Sequence, residues 1–354
     1  MLRRLLNELE VKVEIQGHSP LLVKDGRWGP DAKKREFGRN EEVPAMVFQS
    51  RSPFETLVSA LKECPSLAKL ANLKYFIPGS SVRGAWRSHL EKVLRSLDEE
   101  PKVCDPLIAN EEEKEHLPYR ACSAILVNEE GEKPEVAYPV SCPVCRLFGN
   151  TATASRISFT DAEKKAGELR LVDGIAISRF TGSVSGGNYK ALVLEGAKFE
   201  LTIRLRNFEL WQVGLLGHLF DDLAEKLVPL GSGKGKGFGE VSAKATAIAV
   251  TYYGIGEPGA NGELRGLGEL MGEGERKRYG MWAPETPPKV AWAPLPSQAA
   301  WRRAYVVKDA AAFWGLVKGC FHKNGWEAMP YLKNRVPAAP VEAGDEREDL
   351  EQNL

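Results

Sequence analysis

The chain has 354 residues, more than one typical domain needs, and it is long enough to bury a sizeable core. Lys and Arg together number 48, and so do Asp and Glu, so the chain as a whole has no basic excess and any nucleic-acid-binding role must rest on local charge. No apolar run is long enough to span a bilayer, which predicts a cytoplasmic protein with no membrane partner. There the six cysteines stay reduced, so close pairs indicate metal ligands before disulfides.

The N-terminal part predicts one strand followed by a polar loop. Residues 11–17 alternate apolar and polar side chains and end in a glycine, a pattern typical of a half-buried strand. Asp25 and Gly26 then form a turn signal, and residues 27–40 are polar and strongly basic, which predicts a surface loop. This loop contains Asp31, a carboxylate with lysines and arginines close by in the sequence.

The stretch I-P-G-S-S-V-R-G-A-W-R-S-H at residues 77–89 predicts a turn that leads into a helix. Pro78 and Gly79 interrupt the preceding segment, and apolar residues then recur with helical spacing. We expect Ser80 or Ser81 to cap this helix, whose basic side chains on the remaining surface are Arg83, Arg87, Lys92 and Arg95. Such a turn suits a phosphate, because free N–H groups and the helix dipole favour an anion; the alternative is an ordinary capped helix with a solvated basic face.

The pair Cys142-Pro-Val-Cys145 is half of a zinc site, because two thiolates at this spacing can hold one tetrahedral ion. The nearest upstream candidates for the other two ligands are His116 and Cys122, with Cys104 in reserve. We expect a structural role for the zinc, since four protein ligands leave no open position. The alternative is a thioredoxin-like redox pair, but no strand–CxxC–helix context is evident in the sequence.

The second half of the chain predicts several strands, a finger and a second helix. Residues 178–194 contain the turn-rich run T-G-S-V-S-G-G-N and predict a long β-hairpin or flexible finger. An amphipathic helix is expected over residues 211–228, ending at Pro229. Strands are expected at residues 156–159, 174–177, 198–205 and 240–250.

A glycine-rich run, G-S-G-K-G-K-G-F-G, follows the second helix at residues 231–239. It fits neither a Walker A motif nor G-x-G-x-x-G. It does carry Lys234 and Lys236 beside bare backbone N–H groups, and Phe238 could stack on a base. A flexible helix–strand connector is the alternative interpretation.

The order of these elements favours an α+β fold with helices on one face of a sheet, of the ferredoxin-like or RRM-like kind. We expect one such domain over residues 1–250, with insertions at about 26–76 and 98–155, the second of which binds zinc. Residues 251–354 predict an irregular C-terminal extension, with one short helix near 308–317 and an acidic end.

Several of these stretches together resemble the RAMP superfamily of CRISPR-associated proteins. They are I-P-G-S-S-V-R-G, C-P-V-C-R-L-F-G-N, D-G-I-A-I-S-R-F-T-G and G-S-G-K-G-K-G-F-G-E, and they occur in family order within residues 10–250. The resemblance is strongest to the repeated backbone subunit of type III CRISPR effector complexes, which binds guide RNA and cuts target RNA. It implies a modified RRM fold and, as partners, guide RNA, target RNA, other RAMP subunits and the large subunit of the complex.

The resemblance also implies roles for particular residues. The glycine loop and the Ile-Pro-Gly-Ser-Ser turn would face the guide RNA, and the hairpin at residues 178–194 would wedge between guide and target. An aspartate after the first strand would serve target cleavage with Mg²⁺ or Mn²⁺; Asp31 is the best positional match and Asp25 the second. The RNA-binding residues implied are Ser80, Ser81, Arg83, Arg87, Lys234, Lys236, Phe238, Arg179 and Phe180.

The sequence therefore predicts a subunit that binds CRISPR RNA and acts as a metal-dependent endoribonuclease on target RNA. One alternative keeps the fold without the chemistry, as a scaffold or capping subunit. A second is a stand-alone enzyme that processes precursor guide RNA. Such an enzyme would need a His or Tyr base near the glycine loop, and His218 instead falls in the middle of a predicted helix.

Overall fold

A computed structural model of the chain describes residues 4–38, 40, 42–64, 66–108, 121–124, 134–175, 177–184, 189–281, 287–296, 299–322, 326–327 and 329. The strands among these residues are β1 (Asn7–Gly17), β2 (Phe76–Ile77), β3 (Ile157–Phe159), β4 (Ala162–Gly174), β5 (Tyr189–Arg206), β6 (Val241–Tyr253), β7 (Trp292–Leu295) and β8 (Arg302–Val307). The helices are α1 (Pro30–Phe37), α2 (Phe54–Leu61), α3 (Ala68–Ala71), α4 (Gly79–Arg95), α5 (Pro134–Val140), α6 (Pro143–Phe148), α7 (Leu210–Ala224), α8 (Leu267–Leu270), α9 (Glu273–Arg278), α10 (Ala310–Val317) and α11 (Gly319–Phe321).

The eight described strands form one antiparallel sheet in the order β2-β4-β5-β1-β6-β8-β7, with β3 paired to β5. Its four central strands, β4-β5-β1-β6, have a ferredoxin-like arrangement, because α4 links β1 to the β4–β5 hairpin and α7 links β5 to β6. The predicted α+β, ferredoxin-like fold is confirmed.

The alternation in β1 separates a buried face from a charged one. Leu9, Val11, Val13 and Ile15 are at most 1% exposed, and they share one core with the apolar sides of α4 and α7. The other face of β1 carries only polar residues, which form cross-strand ion pairs such as Glu10–Arg204 at 2.8 Å and Glu14–Lys244 at 3.0 Å. Helices therefore cover one face of this strand, and the other is a ladder of charges.

The predicted surface loop at residues 27–40 contains a helix, α1, so that prediction is wrong. Pro30 occupies the first helical turn, where its missing N–H costs nothing, and Asp31 in the same turn complements the helix dipole. Phe37 anchors the other end by packing against Trp28 with ring centroids 5.9 Å apart. The sequence analysis missed this short helix because most of its residues are charged and it makes few apolar contacts.

The strand predicted at residues 174–177 is also wrong in its bounds, since β4 runs over Ala162–Gly174 and pairs with β5 along that length. Most residues of β4 are exposed or half-buried, so its sequence lacks the apolar alternation that reveals a strand. Tertiary pairing with β5 stabilises it instead.

Part of the C-terminal extension is regular. β8 pairs with β6 and β7 pairs with β8, which widens the sheet beyond the ferredoxin-like core. The rings of Trp292 and Tyr305 lie 5.1 Å apart and join the two added strands. The short helix predicted near 308–317 is confirmed as α10, whereas the acidic end lies outside the described residues.

Candidate metal centre and RNA-binding surface

Four cysteines from three separate segments meet in one buried cluster. The Sγ atoms of Cys104, Cys122, Cys142 and Cys145 all lie within 4.8 Å of one another, and each residue is at most 2% exposed. The Sγ of Cys104 is 3.6 Å from that of Cys142 and 3.7 Å from that of Cys145. A tetrahedral zinc with Zn–S bonds of about 2.3 Å places its sulfurs about 3.8 Å apart, so this cluster could bind a metal such as zinc.

The backbone around Cys142 and Cys145 explains how this part of the cluster forms. Cys142 is the N-cap of α6, and its Sγ accepts a hydrogen bond from the N–H of Cys145 at 3.4 Å. The N–H of Cys142 in turn donates to the Sγ of Cys122 at 3.2 Å. Gly149 ends the helix at a φ of 77°, and a Cβ there would lie 2.5 Å from the N of Ser155. Only glycine fits this closing turn.

The structure brings together three of the predicted metal ligands and the reserve candidate, Cys104. His116 lies outside the described residues. Hydrogen bonding among the packed thiols, first with Cys122, raises the pKa of Cys104, so a cation must displace protons to bind here. The pair Cys142–Cys145 is preceded by α5 and not by a strand, which leaves the thioredoxin-like alternative without its context.

The basic side of α4 contacts this cysteine segment. The Arg83 guanidinium donates to the carbonyl of Phe148. Arg87 donates to the carbonyl of Gly149 at 3.0 Å and approaches the Sγ of Cys145 at 3.6 Å. Both arginines, predicted as RNA ligands, thus have partners inside the protein, and neither is fully exposed.

The N-terminus of α4 is capped differently from the prediction. No side chain caps the helix from its N-cap position, Pro78, and the N–H of Gly79 donates to Asp161 Oδ1 at 2.8 Å, so the predicted serine cap is wrong. A Cβ on Gly79 would lie 2.7 Å from the carbonyl oxygens of Phe159 and Thr160, which is why a glycine precedes the two serines. Asp161 was missed because a carboxylate from a distant segment, here the turn between β3 and β4, leaves no local sequence signal.

Ser80 and Ser81 remain exposed at this helix N-terminus. Asp161, which reaches the first helical N–H, is itself held by Arg51 at 2.6 Å. One end of the helix dipole is therefore already partly neutralised by a protein carboxylate, and an RNA phosphate here would contact the serine hydroxyls.

The glycine run folds into a tight loop with four left-handed glycines. Gly231, Gly233, Gly237 and Gly239 have φ values between 79° and 84° and flank a 3₁₀ turn over Lys234–Lys236. Burial and the neighbouring Lys92 of α4 lower the pKa of Lys234, which places cations of the loop and of α4 close together. The loop is thus a defined structure, which argues against a merely flexible connector.

Phe238 closes the loop inward. It packs against a small apolar cluster formed by Leu22, Ala191 and Val193 and is half-buried. A Cβ on Gly233 would lie 2.8 Å from its ring. Part of the ring therefore serves the loop's own packing, and the remainder is open to solvent.

Three segments that are distant in sequence meet at this end of the sheet. The N–H of Ser232 in the glycine loop donates to the carbonyl of Leu22 at 2.7 Å, and that of Gly239 donates to Pro20 at 2.9 Å. Leu21 pairs with Leu194, at the base of the β4–β5 hairpin. The segment after β1, the glycine loop and the hairpin base thus form one connected surface.

Asp25, the second candidate for catalysis, is enclosed in this surface. The residue is 1% exposed, and its carboxylate accepts from Arg27 Nη2 at 2.6 Å and from the N–H of Ser50 at 3.2 Å. Burial alone would raise its pKa, but the hydrogen bonds from Arg27 and Ser50 hold the pKa below its usual value. Asp25 joins two loop segments and cannot reach a ligand in this arrangement.

We expect Asp25→Asn to lower the free energy of unfolding by about 2 kcal/mol at pH 7, less than for a fully buried pair because the Arg27 side chain is 38% exposed. The folded-state pKa lies below the unfolded value, so this stabilisation is present above pH 3.8 and is lost as the pH falls through the folded pKa. Denaturant titrations from pH 7 to pH 3 should show the difference from wild type shrinking. A constant difference would contradict the ionised role.

Asp31 has a different environment. It lies in the first turn of α1 and is exposed. The helix is fixed to the core through Ala32 and Phe37, so the carboxylate has a defined position on a rigid element. The sequence analysis placed it in a loop; the structure places it on a helix that follows Trp28, whose Nε1 donates to the carbonyl of Pro44 at 3.0 Å.

The tip of the β4–β5 hairpin presents unusual apolar exposure. Phe180 is fully exposed, and Ile175, Ile177 and Val184 are each more than half exposed. Arg179 is also exposed beside Phe180. Residues 185–188 of the predicted finger lie outside the described part of the chain.

Comparison with known families shows which family the chain belongs to. A model of the RAMP superfamily matches residues 14–242, which is more than half of the chain and includes the end of β1, α4, the cysteine pair, the hairpin and the glycine loop. The chain belongs to the RAMP superfamily. A search of curated proteins finds no match.

Membership of the RAMP superfamily makes the chain a CRISPR-associated, RNA-binding protein, since binding of guide RNA in type III complexes is the known context of these proteins. The matched region ends close to the start of β6, so β7 and β8 of this RAMP protein lie outside it. Within the described chain, no helix combines the length and apolar character that crossing a bilayer requires.

Proposed function

We propose that this RAMP protein is a backbone subunit of a type III CRISPR effector complex, which binds guide RNA and cleaves the target RNA paired to it. The observation that carries the proposal is the convergence of the glycine loop, the segment after β1 and the hairpin base at one end of the sheet. These are the segments that the family resemblance assigns to guide and target RNA.

The charges of the surface support sequence-independent binding of the RNA backbone. Lys234 and Lys92 lie near each other, and Lys236 belongs to the same 3₁₀ turn. Glycines at positive φ leave the loop backbone without side chains, so its N–H groups can approach a phosphate closely. Exposed Ser80 and Ser81 add hydroxyl donors at the other end of α4, about 18 Å along the helix from Lys92.

The charged face of β1 argues against the usual RRM mode of binding. That mode stacks bases on aromatic side chains of the sheet. Here the outward positions of β1 are Glu8, Glu10, Lys12, Glu14 and Gln16. None can stack on a base as an aromatic ring does, and several are engaged in ion pairs. The loops at the end of the sheet are the better RNA surface.

Binding of a single-stranded guide should weaken steeply with salt and depend little on sequence, because phosphate contacts dominate. Lys234→Gln and Lys236→Gln should each reduce the salt slope by about one unit and weaken binding of different sequences equally. Fluorescence anisotropy at several salt concentrations measures both effects. Lys277→Gln on α9, where the side chain is 76% exposed, is a charge-matched control that should leave the slope unchanged. An unaltered salt slope in the Lys234→Gln/Lys236→Gln double variant would show that these lysines do not contact the RNA.

For target cleavage we propose the 2′-hydroxyl of the target as the nucleophile. The 2′-hydroxyl gives its proton to a base, for which the exposed carboxylate of Asp31 is the candidate, and its oxygen attacks the adjacent phosphorus. The 5′-oxygen leaves and takes up a proton from water, which gives a 2′,3′-cyclic phosphate and a 5′-hydroxyl. Phe180 at the hairpin tip is suited to displace a nucleotide from the duplex, which frees the backbone for in-line attack.

The residues present do not form a Mg²⁺ or Mn²⁺ site by themselves. Among the described residues, the one group of three or more candidate metal ligands is the four-cysteine cluster. A hard cation at Asp31 would take most of its oxygen ligands from RNA phosphates and water. We therefore assign no step of the reaction to such an ion.

A non-catalytic scaffold subunit is the second candidate, and the enclosure of Asp25 favours it, because only Asp31 of the two aspartates is accessible. A stand-alone processing nuclease has less support. His218 is half-buried in α7, with its ring 5.0 Å from that of His322 and against Phe321, so it does not face the glycine loop.

A further inference from the structure

The basic side of α4 is a row of residues spaced one helical turn apart. Arg83, Arg87, Glu91 and Arg95 follow each other at intervals of four, so they lie on one side of the helix. The adjacent side, about 100° around the helix, carries Val82, Trp86, Leu90 and Leu94 and is buried in the core. In the sequence this row has the pattern of an RNA-binding face.

The row contacts the cysteine centre from two directions. Arg87 donates to the carbonyl of Gly149, at the end of α6, and approaches the Sγ of Cys145. Arg95 donates to the carbonyl of Cys104 through Nε at 3.3 Å and Nη2 at 3.2 Å. The two arginines therefore hold the two sequence segments that supply Cys104 and Cys145 to the cluster.

Glu91 connects these arginines. It is 7% exposed and accepts from Arg87 Nε at 2.7 Å, while Arg95 Nη2 lies 3.9 Å from its other oxygen. The side chains of Arg87 and Arg95 are only 19% and 23% exposed. A buried carboxylate between two such guanidiniums fixes their orientation, which a pair of solvent-facing RNA ligands would not need.

Charge gives the row a second function. Four thiolates around one divalent cation carry a net charge of about −2, and burying that charge requires nearby cations or hydrogen-bond donors. Glu91 and Asp105, which lies 3.9 Å from Arg95 Nη1, offset the two charges of Arg87 and Arg95, so the row supplies hydrogen-bond donors to the cluster rather than a net charge. Hydrogen bonds from neighbouring groups also orient metal ligands and commonly change metal affinity.

We propose that the Arg87–Glu91–Arg95 row is a positioning device that couples metal binding at the cysteine centre to guide-RNA binding. When the cysteine centre binds its metal, it fixes the positions of Arg87 and Arg95. These side chains in turn fix the position of α4, whose N-terminus carries Ser80 and Ser81 toward the guide. Arg87 and Arg95 act through the metal centre and do not contact phosphates. The inference rests on the proposed function, because it requires that the N-terminus of α4 faces RNA.

The test uses the full-length, zinc-loaded protein and compares Arg87→Gln, Arg95→Gln and the remote control Lys277→Gln. Zinc release is followed with a colorimetric chelator, and binding of a labelled single-stranded RNA is measured against salt with and without added zinc. We expect Arg87→Gln and Arg95→Gln to release zinc about tenfold faster than the control. They should bind RNA more weakly with an unchanged salt slope, and excess zinc should restore the affinity.

Zinc release at the rate of the control would overturn the coupling. So would a salt slope reduced by about one unit with zinc retained, since that is the behaviour of a phosphate ligand. If Arg87→Gln does not fold, Arg87→Lys keeps the charge, but its single ammonium cannot reach Glu91, the Gly149 carbonyl and Cys145 Sγ together, so it should show the same faster release. Failure of the proposed function gives a different result: the zinc-loaded wild type itself would not bind RNA, while the release rates would still differ.

Discussion

Cys142→Ser is expected to abolish stoichiometric metal binding and to destabilise the protein strongly. A serine hydroxyl replaces one of four thiolates, and apparent binding free energies of structural zinc sites reach about 10–16 kcal/mol in small peptides, so losing even part of this term is a large fraction of a domain's stability. We expect about one zinc per wild-type chain and much less in the variant by elemental analysis. The melting temperature and the yield of soluble protein should both fall.

Cys64→Ser is the matched control for this substitution. Cys64 is half-buried, donates a hydrogen bond to the carbonyl of Glu42 and lies outside the four-cysteine cluster. It should keep both the metal and the melting temperature. Cobalt(II) reconstitution adds a signature, because tetrahedral thiolate ligation gives intense visible absorption that Cys142→Ser should weaken. If removing the metal from the wild-type protein left its melting temperature unchanged, that result would contradict a structural metal at this centre.

Asp31→Ala is expected to abolish target cleavage while leaving stability and RNA affinity almost unchanged. The side chain is exposed in the first turn of α1, and surface substitutions of this kind cost less than about 0.5 kcal/mol. The cleavage rate of guide-paired target RNA by the assembled complex, measured on a gel, should fall by at least about a hundredfold, as the loss of a positioned acid–base group does.

Two further measurements in the same cleavage assay distinguish a loss of catalysis from a loss of folding. Asp25→Asn should reduce cleavage only as far as it lowers the folded fraction, since its carboxylate is engaged with Arg27. A 2′-deoxy nucleotide at the cut position should block cleavage by the intact protein. Loss of cleavage in stable Asp25→Asn protein, with Asp31→Ala active, would show that the wrong aspartate was assigned. Tight target binding without cleavage by the wild type would favour the scaffold function.

The sequence was most informative where one residue pattern determines a local structure. The alternation in β1 and the helical spacing after Pro78 gave both elements, and the cysteine pair revealed half of the metal centre. Order along the chain then determined the fold, because a strand, a helix, a hairpin, a helix and a strand can form few sheets. These features need no information about distant contacts.

What the sequence did not reveal depends on contacts between distant segments. Asp161 caps α4 from the turn before β4, and Cys104, which the sequence offered only as a reserve ligand, joins the cluster from far upstream. The basic residues Arg87 and Arg95 have the pattern of RNA ligands, yet their partners are backbone carbonyls of the cysteine segments. A charge pattern shows that a side chain is cationic, but it cannot show which group neutralises it.

Crosslinking a 4-thiouridine guide RNA to the protein, followed by mass spectrometry of the attached peptides, tests the central claim most directly. The proposed function predicts crosslinks in three places: the glycine loop at 231–239, the turn and serines at 77–81, and the described hairpin tip at 177–184. Peptides from the charged face of β1 should be absent from the crosslinked set. Crosslinks confined to that face, or none at all to the three predicted segments, would contradict the account.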